Sequence, residues 1–166
     1  MKIKIFAAAG VLLLLCTCFL FWLLRDTDEK KISRTLDELC RIGSKSFREN
    51  PALGALKANK ADKVFAPRCL FNFRLHMMDG VISPTEIGSR IVRIQAAFKW
   101  IKLDFSELEV AINKNQADIF FTGSLHGELK QGGKVEELRE ITATLERQED
   151  GSWKICRMNI KNILEK

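Results

Sequence analysis

The stretch SPTEIGSRIVRIQAAFKW, residues 83–100, carries the clearest fold signal in the chain. Ser83 has the side chain of a helix N-cap, Pro84 suits the first helical turn, and Glu86 can bond back to the cap. Isoleucine or phenylalanine then recurs at positions 87, 91, 94 and 98. This spacing aligns the apolar side chains in one stripe. The stretch therefore predicts an amphipathic helix that ends near Trp100.

Four segments of alternating polarity follow this helix. They cover residues 102–112, 117–129, 134–147 and 153–160. Polar turns separate them at residues 113–116, 131–133 and 150–151. Short polar turns between alternating runs are typical of an antiparallel meander. The second half of the chain is therefore predicted to form an antiparallel sheet.

The residues before the helix supply two more helices and a strand. Apolar residues at helical spacing predict a helix over residues 28–47, and a second, shorter helix is predicted over 52–63. Residues 68–78 alternate and predict a half-buried strand that ends in a tight Asp79-Gly80 turn. Helices on one face of an antiparallel sheet make an α+β domain, with about three helices here.

Length and charge exclude several classes of protein. A chain of 166 residues allows one domain with a short appendage, and 46% hydrophobic with 29% charged residues is typical of a globular protein. The net charge of +6 is scattered, without a block of five or six basic residues. We therefore predict no nucleic-acid partner.

The N-terminal segment predicts membrane attachment. Residues 5–24, IFAAAGVLLLLCTCFLFWLL, are free of charge, and a helix of this length spans about 30 Å, the thickness of a hydrocarbon core. A cleaved signal peptide and a lipoprotein signal are the alternatives. The small residues Ala7 to Ala9 lie early for cleavage, and neither Cys16 nor Cys18 follows a small residue of the required kind. An uncleaved anchor fits best.

The predicted organisation is an N-terminal signal anchor over residues 1–25, a charged linker over 26–31 and a folded domain over 32–166. Lys2 and Lys4 precede the apolar segment, whereas Arg25, Lys30 and Lys31 follow it, so the basic residues nearly balance. The short head and signal-like order favour an N-terminus inside the cell. The folded domain would then lie outside the cytoplasm, in a periplasm if the source is a diderm bacterium.

Residues 28–160 resemble the nuclear transport factor two-like superfamily, which includes SnoaL-like polyketide cyclases and ketosteroid isomerases. Three features carry the resemblance: the capped helix from Ser83 with its apolar stripe, the segment NQADI at residues 115–119 with Phe121, and DGSWKI at residues 150–155. The resemblance implies a cone, in which a strongly curved sheet wraps over the helices and often encloses a pocket. Its known enzymes place acids and bases inside that cone.

The sequence shows no recognisable catalytic constellation. Ketosteroid isomerases use a tyrosine with two aspartates, and this chain contains no tyrosine. By strand parity His76 and His126 point away from the more apolar face, unless a bulge at Gly123 or Gly127 reverses the alternation. Asp79 is interpreted as a turn residue. We therefore predict no catalytic, cofactor-binding or metal-binding residue. An enzyme would instead require one of the two histidines, Asp79 or Asp118 to face the interior of the cone.

Two further groups of residues are interpreted as structural. Residues 136–140, which include Glu136, Glu137, Arg139 and Glu140, resemble an exposed edge. Cys40, Cys69 and Cys156 lack zinc-binding spacing, so they are either buried free thiols or one disulfide with a remaining thiol.

The partner prediction concerns the outer face of the sheet. The mixed polar and apolar residues Phe120, Thr122, Ser124, Thr142 and Thr144 predict a homodimer interface there, unless the face is simply hydrated. The predicted function is a membrane-anchored accessory domain that binds a partner protein or a small apolar ligand. The alternatives are a small isomerase, dehydratase or hydrolase acting inside the cone, and an interaction domain whose cone is filled by phenylalanines.

The predicted orientation can be checked in cells. Protease added to intact spheroplasts should digest the domain that follows residue 31 and spare a cytoplasmic control protein. Protection of the domain until the membrane is permeabilised would place it inside the cell and contradict the orientation.

Overall fold

The computed structural model describes residues 27–73 and 80–162. Contacts group Lys31–Lys166 into one compact unit. The helices in the described residues are α1 Asp28–Gly43, α2 Pro51–Ala58, α3 Ala61–Val64 and α4 Pro84–Ala97. The strands are β1 Phe65–Asn72, β2 Gly80–Ile82, β3 Phe98–Asn113, β4 Gln116–Leu129, β5 Lys134–Arg147 and β6 Trp153–Asn162. The domain is α+β, as predicted.

Helix α1 buries the predicted apolar face, because Ile32, Leu36 and Ile42 are almost fully inaccessible to water. It ends at Gly43 and not near residue 47. The chain leaves the helix because the backbone of Lys45 pairs with Ile101 at the start of the sheet. Phe47, which lies beyond the end of the helix, is consequently 63% exposed.

The predicted helix over residues 52–63 is two helices, α2 and α3, separated at Asn59 and Lys60. The side chain of Asn50 caps α2 by accepting from the amide of Ala52 at 2.9 Å. The break lets the chain turn toward β1, which starts directly after α3.

Helix α4 begins as predicted, because Ser83 accepts a hydrogen bond from the amide of Glu86 at 3.3 Å. Its buried face is rotated relative to the predicted stripe and includes Gly88 and Gln95, whereas Ile94 is 47% exposed. A Cβ atom at Gly88 would lie 2.7 Å from the carbonyl oxygen of Ala58. Glycine therefore permits the close packing of α4 on α2.

The sheet has the strand order β2-β1-β6-β5-β4-β3 in the described residues. Strands β3 to β6 form the predicted antiparallel meander. Strand β1, however, pairs parallel to β6, so the expectation of a purely antiparallel sheet was wrong. The sheet is curved and packs on the helices, as a cone requires. Bulges interrupt the pairing of β3 near Glu107 and of β6 near Cys156.

The core lies between the helices and the inner face of the sheet. Alternate residues of the central strands are buried there, including Ile119 and Phe121 of β4 and Ala143 and Leu145 of β5. Trp153 is 1% exposed, and the guanidinium of Arg147 lies 5.0 Å from its ring centroid. Such a cation–π contact stabilises the buried indole.

A polar contact joins the ends of α1 and α4. The buried amide nitrogen of Gln95 donates to the carbonyl oxygens of Ile42, Gly43 and Ser44 at 2.8, 3.1 and 3.3 Å. In return, Lys45 Nζ donates to the carbonyl oxygens of Gln95 and Phe98 at 2.9 and 2.7 Å. Burial lowers the pKa of Lys45, and the nearby charge of Lys130 lowers it further. Each helix end thus has its free carbonyls satisfied by the other segment.

The predicted membrane anchor, residues 5–24, lies outside the described residues. Within residues 27–73 and 80–162, no helix is long and apolar enough to cross a membrane.

Replacing Gln95 with leucine should destabilise the domain by about 2–4 kcal/mol, because buried carbonyl oxygens lose their donor. Urea unfolding followed by circular dichroism measures this change. Gln131→Leu is the matched control, because Gln131 is exposed in the β4–β5 turn. Equal midpoints for the two variants would show that the Gln95 amide contributes nothing to stability.

Candidate functional site

A cavity of about 900 Å³ lies between α1, α4 and the inner face of β3 to β6. This volume is within the range of pockets that hold drug-sized molecules. Its wall is mainly apolar, from Leu39, Phe73, Ile94, Phe98, Leu103, Phe121, Leu125, Val135, Ile141, Met158 and Ile160. One alternative required phenylalanines to fill the cone. The cavity shows that they do not fill it.

Strand alternation explains how β5 reaches the cavity. Its inner residues run from the buried Leu145 and Ala143, through Ile141, to Arg139 and Glu137, which also line the cavity. The inner face of this strand thus changes from apolar core to charged rim along its length. The interpretation of Glu137 and Arg139 as an exposed edge was therefore wrong, although Glu136 and Glu140 are exposed. Their parity with Ile141 was the signal that could have found them.

Charged side chains surround the mouth of the cavity, and most of them are paired. Arg90 contacts Glu86 at 2.7 Å on α4, and Arg139 contacts Glu137 at 2.8 Å on β5. Lys102 contacts Asp104 at 2.9 Å, and this hydrogen bond is the main cause that lowers the pKa of Asp104. Arg93 completes the rim from the next turn of α4. The cavity therefore combines an apolar interior with a mixed-charge entrance.

Cys40 of α1 also lines the cavity. Burial, together with the nearby Asp104 and Asp37 charges, raises its pKa to about 12. Cys69 and Cys156 are likewise free thiols with raised pKa values, to about 12 and about 11, mainly through burial. Of the two alternatives for these cysteines, the structure contains the free thiols.

The structure places His126 and Asp118, two of the residues singled out by sequence, away from the cavity. His126 is exposed on the outer face of β4, as its parity predicts. Asp118 is also exposed and accepts a hydrogen bond from Thr144 Oγ1 at 2.8 Å on the outer face. His76 and Asp79 lie outside the described residues. Within residues 27–73 and 80–162, no group of three or more His, Cys, Asp or Glu side chains could hold a metal ion.

Gly123 and Gly127 are not bulges that reverse the strand. The register between β4 and β5 continues unbroken through both positions. A Cβ atom at Gly123 would lie 2.7 Å from Ile141 Cδ1, and one at Gly127 would lie 2.9 Å from the ring of Phe98. Both glycines are therefore explained by close packing against the side chains of the cavity wall.

The outer face of the sheet carries a second, more open groove of about 620 Å³. Phe120, Thr142 and Thr144 line it, as part of the predicted dimer face. Asp118 and Glu109 lie toward one side of the groove and Arg157 toward the other, because they stand on β4, β3 and β6. The groove thus has opposite charges on its two sides.

Solved structures with the same architecture include three named bacterial proteins. A proposed scytalone dehydratase from Novosphingobium aromaticivorans has a TM-score of 0.63 at 12% identity, over 82% of this chain and 84% of that chain. A nuclear transport factor two-like superfamily protein from Salmonella enterica has a TM-score of 0.62 at 11% identity, over 84% and 96%. A proposed dehydratase of the same family from Streptomyces avermitilis has a TM-score of 0.59 at 17% identity, over 84% and 98%.

The domain has the nuclear transport factor two-like fold. The fold that the sequence resemblance implies is thereby confirmed. Identities this low establish the fold and not the activity. No family model matches the chain, and no curated protein sequence does.

The raised pKa of Cys40 should make this cone cysteine unreactive near neutral pH. A thiol with a pKa of about 12 is only about one ten-thousandth ionised at pH 8, and the thiolate is the reactive form. Alkylation by iodoacetamide, read by peptide mass mapping, should be slow at pH 8 and rise about tenfold per pH unit. Glutathione in the same tube is the control. A Cys40 rate at pH 8 that equals that of glutathione would contradict the burial of this thiol.

Proposed function

We propose that this chain is a membrane-anchored accessory domain that binds a small apolar ligand in the cone of its nuclear transport factor two-like fold. The observation that carries the proposal is the cavity of about 900 Å³ with its mainly apolar wall. Burying apolar ligand surface contributes roughly 25 cal/mol per Å², so such a wall favours apolar molecules. The uncharged residues 5–24 support a tether in the membrane, where apolar ligands are concentrated.

An enzyme acting on an apolar substrate is the second candidate. Two proteins of similar structure are named as proposed dehydratases, which favours this alternative. Dehydration and isomerisation need an acid or base that reaches the substrate. The carboxylates that line the cavity in the described residues are Glu86, Asp104 and Glu137, and each is ion-paired at the rim. This arrangement favours binding over catalysis as the role of the cavity.

A blocked cavity separates ligand binding from a purely structural role. Leu125 lines the cavity from β4, so Leu125→Trp should occupy its volume. Native mass spectrometry of the full chain should show an added mass on the wild type that is lost on denaturation, and no added mass on this variant. Leu138→Trp is the matched control, because Leu138 is 55% exposed on the opposite face of β5. Equal added mass on both variants would place the ligand outside the cone.

The opposite charges of the outer groove support a homodimer. Asp118 and Arg157 both pair with Thr144 in the sheet register, one strand to each side of β5. A two-fold axis near Thr144 would therefore place Arg157 against Asp118 of a second copy. An interface of this kind is self-complementary, as a two-fold dimer requires. The half-buried Phe120 and the threonines Thr142 and Thr144 would lie at its centre.

Reversing the two charges tests this dimer. Arg157→Glu should convert the dimer to a monomer, because the new carboxylate of each copy would face Asp118 of the other copy and repel it. Adding Asp118→Arg to that variant should restore the dimer, since the pair is then reversed on both copies. Sedimentation velocity of the full chain in detergent measures the assembly. A wild-type monomer, or a double variant that stays monomeric, would contradict the proposed interface.

A further inference from the structure

The rim of the cone differs from its interior in carrying several cations. Arg90 and Arg93 lie on α4 and Arg139 on β5, and all three line the cavity. Glu86 and Glu137 lie beside two of them and neutralise their charges. Lys102 similarly neutralises Asp104. After these pairs are counted, one arginine that lines the cavity in the described residues keeps an unpaired positive charge.

That remaining charge belongs to Arg93. Within residues 27–73 and 80–162 it forms no hydrogen bond or ion pair, and its side chain is exposed at the rim. Glu86 cannot form an ion pair with both arginines of α4. It stands four residues before Arg90, where the pair forms, but seven residues before Arg93, which is about 10 Å along the helix axis.

Arg93 also stands next to an apolar residue that continues into the cavity. Ile94 lines the cavity although it is 47% exposed, and Phe98 lies one turn further along. A molecule that contacts the guanidinium of Arg93 can therefore place its remaining atoms along this apolar wall. The planar guanidinium donates two parallel hydrogen bonds to a carboxylate, which a single ammonium group cannot do.

We propose that the cone selects apolar molecules that end in a carboxylate, with Arg93 binding the carboxylate and the apolar wall binding the chain. This inference rests on the proposed ligand-binding function and specifies the class of ligand. Ser89, which lies four residues before Arg93 on α4, and Ser124 of β4 also line the cavity. The neutral pairs Arg90–Glu86 and Arg139–Glu137 leave the selection to Arg93.

Two probes of equal chain length separate the head group from the chain. Radiolabelled decanoate and 1-decanol are equilibrated by dialysis between the full chain in nanodiscs and empty nanodiscs of the same lipid content. The empty nanodiscs subtract partitioning into lipid. Decanoate should bind about two- to fivefold more tightly than decanol, because an ion pair with an exposed arginine contributes only a few-fold in affinity. Raising the salt concentration should weaken decanoate binding alone.

The variant Arg93→Gln should reduce decanoate binding to the level of decanol and leave decanol binding unchanged. Arg68→Gln is the matched control, because Arg68 is an exposed arginine on β1 that does not line the cavity. It removes the same charge from the protein and should preserve the preference for decanoate. A preference that survives in Arg93→Gln, or that Arg68→Gln also abolishes, would overturn the role of Arg93.

The remaining outcomes distinguish the proposed ligand binding in the cone from the proposed preference for a carboxylate. Equal binding of both probes to the wild type would support the binding of apolar ligands in the cone and would overturn the carboxylate preference. Absence of binding by either probe would count against the proposed ligand-binding function itself. Loss of decanol binding in Arg93→Gln would show that Arg93 maintains the shape of the cavity, and would also overturn its role in binding a head group.

Discussion

The cone depends on one buried amide. Gln95 satisfies three carbonyl oxygens at the end of α1, and Lys45 satisfies two at the end of α4. Unpaired, these buried groups would cost several kcal/mol. Because the two helix ends are joined, the segment after α1 is held where Lys45 pairs with β3. The helices and the long antiparallel strands thereby meet at one fixed edge, and the cavity opens between them.

Periodicity predicted the elements well where one face is uniformly apolar. The strands β3 to β6 and the cap at Ser83 follow from alternation and turn chemistry alone. The failures lie where tertiary contacts override the local pattern. The rotation of α4 toward Gln95 depends on carbonyls of another helix, and the parallel pairing of β1 with β6 joins segments that are distant in sequence. A stripe of isoleucines does not encode either contact.

The candidate site was predicted less completely than the fold. Sequence parity correctly placed His126 outside the cone. It also contained the information that Arg139 and Glu137 share a face with Ile141, but their charge suggested an exposed edge. Charged residues on an inner strand face are tolerated where that face leaves the core and meets solvent. Where this transition falls is determined by the curvature of the sheet and the packing of α4, which alternation does not reveal.

The parallel pairing of β1 with β6 also determines the order in which parts of the chain can fold during synthesis. Strand β1 pairs with β6, the last strand of the described residues. Helix α1 is bonded to the turn before β6, from Lys31 to Gly151, and to the first residue of β6, from Thr35 to Trp153. Strand β1 and helix α1 must therefore wait, with their apolar faces uncovered, until β6 has left the ribosome. Contacts of such large sequence separation slow folding and prolong exposure to aggregation and to chaperones.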